Sequence, residues 1–180
     1  AAAAIDAGAG PEANLVRGHA LSWLGQGEAA ESVLAPLVDH DLEDAVRARL
    51  AFLRASNTLW ALGSPDDAGT IIEEASDVAT AAGRNHIDAF RTVLFFATDR
   101  PAAALAAAET LAVEDLPPVV GAEVAWSLAT IAADAGRTDD AVSTAEAGYR
   151  AADRSLDAPH MRFNIADAHV AALALAGRLG

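Results

Sequence analysis

Ala135-Gly136-Arg137-Thr138-Asp139-Asp140-Ala141 reads as a complete helix-to-helix turn. A glycine placed directly after an apolar helical stretch adopts the left-handed conformation that closes a helix. Thr138 is suited to accept from the free amides of the next helix as an N-cap. Asp139 and Asp140 fall where the N-terminal dipole favours negative charge. Upstream, Val124, Leu128, Ile131 and Ala135 step by three and four, the spacing of one helix face.

The same turn recurs along the chain. It reads Leu24-Gly25-Gln26-Gly27-Glu28-Ala29-Ala30, then Leu62-Gly63-Ser64-Pro65-Asp66-Asp67-Ala68. It returns as Ala97-Thr98-Asp99-Arg100-Pro101-Ala102-Ala103, and a last partial copy is Ala176-Gly177-Arg178. The first turn positions, 25, 63, 98, 136 and 177, are therefore 38, 35, 38 and 41 residues apart. A period near that length marks stacked helical pairs. Thr98 in place of glycine makes the third copy the weakest. Ser64 is expected to cap like Thr138, and Pro65 fits the first helical position. Ala30, Ala68, Ala103 and Ala141 are expected to be buried where the two helices of a pair cross closely.

Working outward from these turns, the reading is all-α. First helices are expected at roughly 13–24, 42–62, 85–97, 118–135 and 159–176, and second helices at roughly 28–37, 66–82, 101–113 and 139–153. Pro117-Pro118 and Pro159 mark helix starts, and Gly83 marks a helix end. β-branched residues occur singly, the longest such pairs being Ile71-Ile72 and Val119-Val120, and period-2 alternation nowhere extends beyond a few residues. The 48 alanines add helix propensity at little entropic cost. The expectation is about nine helices in antiparallel pairs. They form one domain over 1–180, with repeats at roughly 11–39, 41–83, 84–115, 117–155 and an incomplete 157–180. Ending on an unpaired first helix reads as an excised segment of a longer chain, because a solenoid needs polar caps.

Composition limits function. The chain has 180 residues, about one domain. Zero cysteine excludes a disulfide framework, a zinc ribbon and a cysteine nucleophile. There is no lysine, and 12 arginines against 26 acids give a net charge of −14. That balance argues against direct DNA contact, which needs a basic face. No apolar run reaches the roughly 18 residues of a membrane span. The start lacks a basic region followed by an apolar one, so a cytoplasmic location is expected. The opening Ala1-Ala2-Ala3-Ala4 carries no functional weight.

Motifs for chemistry are missing. Gly25-Gln26-Gly27-Glu28-Ala29-Ala30 matches G-x-G-x-x-A, but that fingerprint needs a preceding buried strand, and Leu15 to Leu24 has helical spacing. No phosphate-binding loop ending in Gly-Lys is possible without lysine. The histidines at 19, 40, 86, 160 and 169 include no pair at i, i+3 or i, i+4 spacing, so no one-helix metal site is expected. Serines lie in helices or caps, with no nucleophile elbow. The expectation is no catalytic residue, no metal and no cofactor.

The turn pattern resembles the tetratricopeptide repeat family, in which a small turn residue precedes a near-invariant alanine by five. Gly25/Ala30, Gly63/Ala68, Thr98/Ala103 and Gly136/Ala141 keep that offset. The repeats exceed the family's length, and most of its in-helix glycine and large aromatics are missing. In this form the pattern is similar to the degenerate helical repeats in the middle of large LuxR-type (maltose-activator-like) transcriptional regulators. Leu59-Trp60-Ala61-Leu62-Gly63 and Asp157-Ala158-Pro159-His160-Met161-Arg162-Phe163-Asn164-Ile165-Ala166-Asp167 look like the actinobacterial members. In such regulators a nucleotide-binding module precedes the repeats and a helix-turn-helix follows. Neither module is visible in this stretch.

The resemblance implies that first helices line a concave groove. Counted from each turn, the groove positions are Leu50, Leu53, Asn57 and Trp60 in the second repeat. Asn85, Asp88, Thr92 and Phe95 follow in the third, then Glu123, Trp126, Thr130 and Ala133 in the fourth. Asn164 and Asp167 begin the fifth, and Leu15, His19 and Ser22 belong to the first. Asn57, Thr92 and Thr130 are expected at one place in three successive repeats. Such a polar and aromatic stripe suits a peptide or small effector. The alternative is that Trp60, Phe95 and Trp126 are core between repeats and the polar residues face water. The function expected is a non-catalytic sensor and protein-interaction segment of a transcriptional regulator. Its partners would be other domains of the same polypeptide, a protein or peptide, or a small effector. The rival is a stand-alone peptide-binding adaptor.

Overall fold

The computed structural model describes residues 10–178 apart from 157 and 159, with no account of the side chain at 82. The leading alanines, Asp157 and Pro159 lie outside the described residues. Those described form nine α-helices and no β-strand. They are α1 (Pro11–Trp23), α2 (Gly27–Leu34), α3 (Asp44–Ser56), α4 (Pro65–Val78) and α5 (Ala81–Ala97). After these come α6 (Pro101–Ala107), α7 (Pro118–Asp134), α8 (Thr138–Ala152) and α9 (Met161–Leu175). A 3₁₀ turn over Ala35–Asp39 follows α2, another covers Val113–Asp115, and a π-helical turn, Asn57–Ala61, extends α3. Among the described residues no helix is long and apolar enough to cross a membrane.

The turns explain the punctuation. Gly25, Gly63, Gly136 and Gly177 have φ between 68° and 72°, the left-handed region. The fifth left-handed residue is Asp99 at φ 55°, not Thr98. Aspartate tolerates this conformation better than a β-branched threonine. Thr98 instead stays with the helix, and its hydroxyl donates to the Leu94 carbonyl at 2.8 Å. The turn intervals are thus 38, 36, 37 and 41 residues. The buried alanine moves with the turn. Ala30, Ala68, Ala104 and Ala141, each five residues past a left-handed residue, are fully buried, whereas Ala103 is half-buried.

Four of the five turns close with one hydrogen-bond pattern. The amide after the left-handed residue reaches back five residues, Gln26 to Leu21, Arg100 to Phe95, Arg137 to Ala132 and Arg178 to Leu173, at 2.8–2.9 Å. At the second turn the Ser64 amide reaches back six, to the Thr58 carbonyl at 2.9 Å. The π turn over Asn57–Ala61 holds that extra residue.

Helix starts hold other corrections. Pro65, Pro101 and Pro118 each open a helix as their fixed φ favours. Ser64 does not cap free amides; its hydroxyl donates to the Asp67 carboxylate at 2.6 Å. Thr138 is the first helical residue rather than the cap, which is Arg137. Gly83 does not end a helix: α4 stops at Val78 and Gly83 lies in the first turn of α5. A Cβ there would stand 3.1 Å from that of Ala48 and 3.2 Å from the Asp44 carboxylate, so the glycine serves close approach to α3.

Packing divides the chain into two compact units, up to Ile87 and from Asp88 on, the division falling inside α5. The first unit buries Leu15, Leu34, Phe52, Ile72 and Ile87. In the second, α7, α8 and α9 enclose Ala122, Ala129, Ala145, Ala152, Met161, Ile165 and Ala168, with Trp126 and Tyr149 packed against them. Ala141 joins Ala132, Ala133 and Ala172 in a neighbouring cluster.

Candidate functional site

In the first unit, α3 and α4 run side by side and leave a groove of about 130 Å³ between them and the 3₁₀ turn. Helical spacing builds its walls. Arg47, Leu50, Ala51 and Arg54 recur along one face of α3, and Ile71, Glu74, Ala75 and Val78 along one face of α4. Val38 closes the 3₁₀ side. The floor is aliphatic and the charges stand at the edges.

The two arginines differ in their partners. Arg54 donates through Nε at 3.0 Å and Nη2 at 2.5 Å to one oxygen of Glu31 on α2, so its charge is matched. Arg47 donates through Nη2 to the Leu42 carbonyl at 2.9 Å, a group that carries no net charge. The nearby carboxylate of Asp44 is occupied by the Thr80 hydroxyl. That hydrogen bond, rather than Arg47, is the main cause holding the Asp44 carboxyl below its usual range. Among the described residues, no carboxylate forms an ion pair with Arg47.

The positions expected along a concave face have varied settings. Asn57 opens the π turn, fully buried, and its amide donates to the Gly27 carbonyl at 3.0 Å. Its Oδ1 is buried without a hydrogen-bond partner. Trp60, three residues on, is 46 % exposed. Asn85 is exposed on α5. In the second unit Asp88 is half-buried and pairs with Arg91 at 3.2 Å. Thr92 is fully buried and donates to the Asp88 carbonyl at 2.9 Å. Phe95 lies under the Arg100 guanidinium, 4.5 Å from its ring centre. Trp126 meets the edge of Phe96 at 5.1 Å, and Thr130 donates to the Trp126 carbonyl at 2.9 Å. Asn164 is half-buried and Asp167 exposed on α9.

Glu123 is buried on α7, with Oε2 lacking any hydrogen-bond partner. Burial pushes its carboxyl from 4.5 up to about 8, so it is protonated at neutral pH. His86 is buried edge-on to Phe52 at 6.5 Å, and burial, aided by Arg49, lowers its pKa.

Asn57, Thr92 and Thr130 do not share one place. Thr92 lies seven residues before its left-handed residue Asp99, and Thr130 six before Gly136. Asn57 also lies six before Gly63, but the π turn inserts one residue between them. Measured from the closing hydrogen bond, the three fall at three different helical positions.

The groove of α3 and α4 was not anticipated. Its signal was present as Arg47, Leu50, Ala51 and Arg54 on one helix face, but the opposing wall comes from residues more than a turn of chain away. Among the described residues, no three His, Asp or Glu side chains gather where a metal ion could be held. No protein-family model, curated protein or solved structure matches the chain.

Proposed function

We propose that this chain is a non-catalytic sensor and protein-interaction segment, a tetratricopeptide-like solenoid whose first helices offer a concave face to an effector or partner. The observation that carries this reading is the recurring closure. Five left-handed turn residues, at intervals of 36–41, are the joints expected of stacked helical pairs, and four lead to a fully buried alanine. Such arrays act by presenting extended surfaces rather than by assembling reactive groups. In the LuxR-type setting that the sequence resembles, this segment would lie between a nucleotide-binding module and a helix-turn-helix in the cytoplasm. Occupancy of its face would then shift the balance between packing states of the repeats.

Trp60 provides the test, because a large aromatic with 46 % of its surface in water on a first helix is the kind of side chain that anchors a partner. Peptide and small-metabolite libraries are titrated against the folded chain while tryptophan emission is followed, with Trp60→Ala as the comparison. The expected result is a set of binders weakened at least tenfold in the variant, with helical content unchanged by circular dichroism. Binders indifferent to Trp60→Ala would move the surface elsewhere. An absence of binders from both libraries would sink the sensor reading.

A further inference from the structure

We infer that the groove between α3 and α4 is a binding site for a small aliphatic carboxylate, an inference that rests on the sensor reading and names its effector class. Three observations converge on it. Leu50, Ala51 and Ile71 give the groove an apolar floor, with exposed Val78 at its rim, which favours a hydrocarbon over a sugar or nucleotide. Its volume of about 130 Å³ is close to that of the apolar cavities, of order 150 Å³, that take up a benzene-sized molecule. A hydrocarbon of about six heavy atoms matches that space, the size of a small aliphatic ligand.

Charge completes the assignment. Arg54 is already matched by Glu31, and Asp44 is engaged with Thr80. Arg47 stands at the groove hydrogen-bonded to the Leu42 carbonyl, and the Asp44 carboxylate, which acts on its charge from nearby, forms no ion pair with it. Its planar fork retains N–H groups suited to a carboxylate. Glu74 on the exposed edge of α4 is the one lining side chain that opposes an anion. The ligand therefore lays its hydrocarbon on the floor and its carboxylate against Arg47. Glu74 sets an upper bound on affinity and selects against a second negative charge.

The test is calorimetric titration of the whole chain with hexanoate, hexanamide and hexylammonium, repeated on Arg47→Gln and Glu74→Gln. Hexanoate is expected to bind at one site, with hexanamide at least tenfold weaker and hexylammonium weaker still. Arg47→Gln should weaken hexanoate at least tenfold, and Glu74→Gln should tighten it severalfold. Equal binding of hexanoate and hexanamide overturns the inference, as does an unchanged affinity in Arg47→Gln. Should Arg47→Gln lose helical content, Glu74→Gln decides, and no tightening there overturns the inference too. A peptide ending in leucine that binds where hexanoate does not would also overturn it. If the library screens return binders that depend on Trp60 while hexanoate fails, the carboxylate assignment falls and the sensor reading stands. If hexanoate and both libraries fail, both fall together.

Discussion

The two units hold consecutive helices together by different means. In the second, α7, α8 and α9 meet through alanine and glycine. A Cβ on Gly148 would lie 2.7 Å from that of Ala125 and 3.0 Å from Ile165 Cδ1, and one on Gly121 would lie 2.7 Å from the Val113 carbonyl oxygen. In the first, side chains reach across between helices: Asn57 to the Gly27 carbonyl, Arg54 to Glu31, and Asp44 to Thr80. Both units use the same closing turn and both keep glycines for close approach, the first at Gly18, Gly27 and Gly83, but the first adds a fully buried polar tie between helices, from Asn57 to the Gly27 carbonyl. A recurrent turn thus fixes where the chain reverses without dictating how the reversed helices are joined.

The largest effect expected comes from the exception within the second unit. Glu123 is a buried polar group whose Oε2 is left without a partner. Its folded pKa of about 8 lies above the 4.5 of a free carboxyl, so the folded state holds the proton more tightly. The stabilising contribution of that proton is full below about pH 4.5 and is lost as pH rises through 8. Between pH 5 and pH 8 this single group should cost on the order of 3 kcal/mol of stability. Denaturant titrations at pH 5, 6.5 and 8 should show the decline, and Glu123→Gln should flatten it. A variant with the same slope as the parent would mean that the carboxylate is hydrated in the folded state.

Next in size is overpacking at the small-residue contact. Ala141→Leu, placed among Ala132, Ala133 and Ala172, should cost about 2–3 kcal/mol. Half-buried Ala147→Leu should cost clearly less. Thermal melts of the two variants check the order, and equal shifts would mean that the helices of this unit can separate to admit bulk.

A smaller loss is expected where the first unit relies on polarity. Asn57→Ala leaves the Gly27 carbonyl without its donor and should cost about 1–2 kcal/mol. Asn57→Asp should be no better, because a carboxylate offers no donor to that carbonyl. If Asn57→Ala proves neutral, the contrast between the units is one of residue type alone. The smallest change belongs to Ser64→Ala. This hydroxyl serves Asp67 rather than free amides, so its removal should cost under about 0.5 kcal/mol, below the usual loss of a helix cap.

Much of this architecture was legible in the sequence because glycine and proline act locally. Gly25, Gly63, Gly136 and Gly177 need positive φ, and Pro65, Pro101 and Pro118 supply the φ of a first helical residue, whatever their surroundings. The third turn was misplaced by one residue because Asp99 competes with its neighbour for the left-handed position without advertising it. Gly83 was misread as punctuation because a glycine kept for close approach looks, in sequence, like one kept for its φ. The α3–α4 groove and the burial of Asn57, Thr92 and Glu123 were hidden for another reason. They depend on what a neighbouring helix places opposite, and one chain's periodicity carries no record of that.

The π turn has a mechanical consequence. Adding one residue to an α-helix rotates everything before it by about 100° relative to everything after it. Over Asn57–Ala61 the extra residue is taken up by widening the coil, so that Leu50, Phe52 and Ala55 still face inward when the chain reaches Gly63. The segment works as a phase compensator between a buried stripe and a fixed joint. Deleting one residue from it would restore regular winding and leave the helix no longer, in function, than its neighbours. Deleting one from the body of α3 instead would turn its apolar face toward water.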